Sequence, residues 1–101
     1  MATNLSTVQI FPYYKKITLA NTNTHEIIIS DKSQTISIGS EASKIYVARN
    51  GATDGVAMPA DKVWVSAGNL IAFNLQHGTG KAESFFVAPD SAPADILVIM
   101  E

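Results

Sequence analysis

Ile71, Phe73 and Leu75 alternate with Ala72 and Asn74 in the stretch NLIAFNL at residues 69–75. A period of two marks a strand with one face buried. The same period recurs elsewhere. Ile17 and Leu19 alternate with Thr18 and Ala20, Ile36 and Ile38 with Thr35 and Ser37, and Ile45 and Val47 with Lys44, Tyr46 and Ala48. Ile27-Ile28-Ile29 and Ser84-Phe85-Phe86-Val87 are runs of high strand propensity. Turn chemistry separates these runs, as NTNT at 21–24, DKS at 31–33, GSEAS at 39–43 and QHGTGK at 76–81. Ser66-Ala67-Gly68 joins KVWV at 62–65 to the 69–75 stretch, and the pattern predicts a hairpin there, at the centre of the domain. Residues 95–100, DILVIM, are apolar at both parities, which predicts a strand covered on both sides. One of those covers is expected to be a second subunit, with Ile96, Val98 and Met100 in the interface.

Seven to eight short strands with turn signals every eight to twelve residues predict an all-β fold, a small antiparallel β-sandwich or jelly-roll-like barrel over residues 17–101. No helix-length stretch carries a convincing 3.6 period. Residues 1–16 read as an extended N-terminal arm, because Pro12 interrupts the run from Val8 to Phe11. Phe11, Tyr13, Tyr14, Lys15 and Lys16 are its contact-prone residues, since tyrosine offers an apolar body and a polar tip. They fit an arm docked on a neighbour, and equally an edge strand whose tyrosines cover the flank of the core.

The length of 101 residues bounds the chain to one domain. Charged residues make up 16%, against about 25% in a typical soluble domain. A small domain has much surface for its volume, so this deficit points either to an exterior covered by partners or sister copies, or to a neutral surface of Ser, Thr, Asn and Ala. A net charge of −2 argues against a nucleic-acid partner, which calls for a basic patch. No cysteine is present, so packing and strand pairing hold the fold. The first ten residues carry neither a basic start nor a long apolar run, and the apolar run at 96–100 is too short to span a bilayer. Synthesis in a bacterial cytoplasm and no membrane partner are the expectations.

Candidate chemistry is sparse, and no enzyme activity is expected. His25 and His77 have no spacing that builds a metal site, and no cofactor is expected. Gly78-Thr79-Gly80-Lys81 mimics part of a phosphate loop, but Leu75 stands where the first glycine belongs and Ala82 where Ser or Thr belongs. The acids Asp54, Asp61, Asp90 and Asp95 fall at turns or strand starts, where Asp bonds its own backbone. Trp64 lies between Val63 and Val65, so it points away from the face those valines share, into a core first of all, or else into solvent or an interface. Tyr46 is its companion as an interface candidate, and both are candidate contacts for a carbohydrate.

Residues 44–100 resemble a group of small β-sandwich proteins carried in the structural gene clusters of tailed bacteriophages. The matching residues are Ile45-Tyr46-Val47-Ala48-Arg49, Gly51-Ala52-Thr53-Asp54-Gly55, Met58-Pro59, Ala67-Gly68, the apolar strand at 70–73 and Ile96-Leu97-Val98. The last strand ends in Ile-Met-Glu rather than a glycine-rich end, and the Tyr/Lys segment is an addition. The resemblance implies a virion component, foremost a capsid decoration (cement) protein that binds the major capsid protein at the shell surface as a homo-oligomer, in such proteins commonly a trimer. A host-attachment or carbohydrate-binding module of the head or tail is the alternative.

Overall fold

The computed structural model describes residues 2–5, 13–29, 35–49, 51–74 and 83–101. They form nine strands: β1 (Thr3–Leu5), β2 (Tyr13–Leu19), β3 (His25–Ile29), β4 (Thr35–Gly39), β5 (Ile45–Ala48), β6 (Val63–Val65), β7 (Leu70–Asn74), β8 (Glu83–Pro89) and β9 (Ala94–Met100). One sheet has the order β1-β3-β8-β5-β6 and the other β2-β9-β4-β7. The fold is all-β and a two-layer sandwich, as the alternation of apolar residues predicts.

The pairings are nested. β5 pairs with β6, β4 with β7, β3 with β8 and β2 with β9, all antiparallel. The chain is in effect one long hairpin, β2 to β5 running out and β6 to β9 running back. It is rolled up so that β4–β9 and β5–β8 contacts close the two sheets. This is the winding of a jelly roll. β1 adds a short parallel strand beside β3.

The inward faces interdigitate as the alternation requires. Ile27, Ile29, Ile36, Ile38, Ile45, Phe85, Val87, Ile96, Val98 and Met100 are fully buried between the sheets. Each such side chain contributes about 1.5–3 kcal/mol relative to exposure. Phe73 meets Phe85 edge to face, with centroids 5.3 Å apart.

Three corners are tied together at one end. The Gly68 amide donates to the Ser40 carbonyl (2.8 Å), the Asp90 amide to the Lys44 carbonyl (2.9 Å), and Ser40 Oγ to the Asp95 carbonyl (2.7 Å). Gly39 sits where the chain ending β4 passes under Asn69, and a Cβ there would overlap the Asn69 carbonyl oxygen.

Two expectations are corrected. The central hairpin does not exist: β6 is the edge of one sheet and β7 the edge of the other. The Asn69 amide does donate to the Ser66 carbonyl (3.1 Å), and Gly68 has φ +83°. Positive φ at the third turn position alone is the type II pattern, which splays its flanking strands rather than pairing them. The arm boundary at residue 16 also moves. Tyr13, Tyr14, Lys15 and Lys16 belong to β2 and pair in register with Met100, Ile99, Val98 and Leu97. The segment is an edge strand, but Tyr14 turns to the outer face and is 61% exposed instead of covering the flank of the core. Phe11 lies outside the described residues.

Candidate functional site

The two outer faces of the sandwich differ. The outer side of the five-stranded sheet is crossed by the chain's own loop between β5 and β6. That loop leaves β5 and reaches the start of β3, two strands away. There the Thr24 amide donates to the Val56 carbonyl (2.7 Å), the Gly55 amide to the Thr24 carbonyl (2.8 Å), and the Glu26 amide to Asp54 Oδ1 (2.8 Å). Ala48 and Ala88, which face outward by strand parity, are buried accordingly.

Among the described residues, no such loop covers the four-stranded sheet. Its outward residues fall in cross-strand rows set by the register. One row reads Tyr14, Ile99, Ser37, Ala72, and the next Lys16, Leu97, Gly39, Leu70. Tyr14 is 61% exposed and Leu70 54%. Leu97 and Ile99 are half-buried. The first row contains no charge, and Lys16 is the single charge of the second. Toward the corner end this face dips into an open hollow of about 610 Å³, floored by Gly39, Leu70 and Leu97 and rimmed by Lys16, Glu41 and Asp95. Asp95 is held there by the Thr18 hydroxyl, which donates to it at 2.6 Å. β2 borders this face as an edge strand, and Lys15, paired with Val98 and so on the inward parity, is exposed. An inward-pointing charge on an edge strand discourages a further strand from pairing there.

A second group lies at the β5–β6 margin of the other sheet. Trp64 is directly opposite Tyr46 in the ladder and is 67% exposed. The Tyr46 hydroxyl donates to Asp90 Oδ1 (2.6 Å). Lys44 Nζ and Lys62 Nζ stand 5.3 and 5.1 Å from the Tyr46 ring centroid. Lys62 also donates to the Pro59 carbonyl at 3.3 Å.

The predicted interface residues therefore divide. Tyr46 and Trp64 come together on an outer face. Ile96, Val98 and Met100 do not reach any surface, because their parity on β9 turns them into the chain's own core. The outward residues of that strand are Leu97 and Ile99, which the sequence reading passed over. The signal was present in the period of two: once Ile96 faces inward, its neighbours face out. Of the expected arm contacts, Tyr14 and Lys16 point outward on β2, Lys15 shares the inward parity, and Tyr13 pairs with Met100.

Among the described residues, no group of three or more His, Cys, Asp or Glu side chains could hold a metal ion. Burial lowers the pKa of His25, with Asp54 pulling it upward to a lesser degree. Its Nε2 lies 2.6 Å from Thr3 Oγ1, linking β3 to β1. No described helix is long and apolar enough to cross a membrane. Compared with known proteins, the chain matches no family model, no curated protein and no solved structure.

Proposed function

We propose that the chain is a non-enzymatic structural module that docks on a larger assembly through the outer face of its four-stranded sheet. The observation that carries this reading is the contrast between the two faces. The loop between β5 and β6 lies across part of one face up to the margin at Trp64, and among the described residues no loop lies on the other, where Tyr14, Leu70, Leu97 and Ile99 stand in nearly uncharged rows. Contiguous exposed apolar surface on a small domain marks a contact site. Low overall charge points the same way.

Jelly rolls serve capsids, lectins and cupins alike, so the fold does not choose among them. The resemblance of residues 44–100 to tailed-phage sandwich proteins supports a virion assembly, with the chain as a capsid decoration protein on the major capsid protein. In this reading three copies gather around a symmetry axis and present three equal faces to the shell. Each contact is weak, and joining them raises avidity by about 10²–10⁴. A ligand that binds the assembled shell alone stabilises it by mass action.

The test is a mass measurement on the purified protein, followed by mixing with undecorated mature capsids. An oligomer that binds shells at a fixed ratio supports the reading. A strict monomer that never binds them overturns it.

A further inference from the structure

We infer that the group at the β5–β6 margin is a binding site for an acidic saccharide. Trp64 offers a flat ring, 67% exposed, beside its ladder partner Tyr46. No hydrogen bond or cation contact holds that ring among the described residues, so its face is open. Aromatic faces are electron-rich and attract the weakly positive C–H groups on one side of a pyranose, as they attract cations.

The charge pattern selects among sugars. Lys44 and Lys62 hold their ammonium groups about the Tyr46 ring, yet neither pairs with a carboxylate among the described residues. The adjacent acid, Asp90, accepts the Tyr46 hydroxyl. Two ammonium groups that pair with no carboxylate among the described residues, in a chain of net charge −2, complement a carboxylate or sulfate. Lys62 is further steadied by the Pro59 carbonyl, and the Asp90 amide fixes the backbone from which Lys44 projects. A uronic-acid oligosaccharide would stack one ring on Trp64 and direct its carboxylate at the lysines.

The site lies on the sheet opposite the bare docking face, and its test uses the isolated protein, so it stands or falls independently of the assembly reading. Trp64 is the sole tryptophan, which makes its fluorescence a direct reporter. Titration with an oligogalacturonate should shift the emission saturably, while a neutral oligosaccharide of equal length and a polyglutamate of equal charge should not. The double variant Lys44→Gln/Lys62→Gln keeps the reporter and should weaken binding about tenfold. Calorimetry should show a comparable loss for Trp64→Ala, whose exposed side chain is dispensable for folding. An absent or unsaturable shift overturns the inference. Equal binding of polyglutamate, or of the neutral sugar, overturns it as well.

Discussion

Tyr46 and Trp64 face each other across the β5–β6 ladder, but only one of them is fastened. The Tyr46 hydroxyl is tied to Asp90 and its ring is flanked by two lysines, whereas Trp64 stands 67% exposed. Tyr46→Phe should therefore lower stability by about 0.5–1.5 kcal/mol, one hydrogen bond's worth. Trp64→Ala should stay within about 0.5 kcal/mol of the parent. Urea denaturation of both variants checks the contrast, and equal losses would mean that Trp64 is packed.

Arg49 closes the gap between the sheets. From the end of β5 its guanidinium lies 4.8 Å from the Phe73 ring centroid on the opposite sheet and pairs with Glu83 on β8. It also donates to the Asn74 carbonyl at 3.4 Å. Arg49→Ala should cost about 1–2 kcal/mol, the sum of a partly exposed ion pair and a cation–π contact. Arg49→Lys should recover less than half of that, because an ammonium cannot stack on the ring and hold both oxygens together. Chemical denaturation of the pair of variants reads both.

Two glycines should respond differently. At Gly39 a Cβ meets the Asn69 carbonyl and Leu70 Cδ2, so Gly39→Ala should destabilise by about 1–3 kcal/mol, as overpacking does. At Gly68 there is space, and φ +83° is the obstacle, so Gly68→Ala should cost about 1 kcal/mol. Thermal melts of the two variants should rank them in that order.

His25 makes stability pH-dependent. Burial lowers its pKa below 6.5, so the folded state prefers the neutral ring and the unfolded state takes up a proton first. The stability this gives is present above about pH 6.5 and fades as pH falls through the lowered folded value. Urea midpoints between pH 7.5 and 5.5 should fall for the parent and fall less for His25→Gln. Parallel curves would remove His25 from the account.

Much of the architecture was legible in the chain. The alternations at Ile17/Leu19, Ile36/Ile38 and Ile45/Val47 each gave a strand with its buried side, because a period of two is a local property. Partners were not legible. Apart from β5 and β6, strands adjacent in sequence lie in opposite sheets, and a nested winding leaves no mark in any single turn. Ser66-Ala67-Gly68 looked like a hairpin because hairpin turns and sheet-switching corners share their residues and differ in which of them has positive φ. The docking face was half legible. β9 reads as apolar on both sides, but assigning its parity needs its ladder partners in the same sheet, Ile36 beside Met100 and Ile38 beside Val98. With pairings this far apart in sequence, folding should take milliseconds to seconds, which stopped-flow refolding reads directly.

If the outer face of the four-stranded sheet is a contact surface, charge placed on it must abolish docking. The decisive experiment co-sediments the chain with undecorated mature capsids, beside a Leu97→Lys/Ile99→Lys variant whose thermal melt shows it folded. The parent should pellet with the shells at a fixed saturating ratio, and the variant should stay in the supernatant. Parent and variant pelleting alike, or both remaining soluble as monomers, would contradict it.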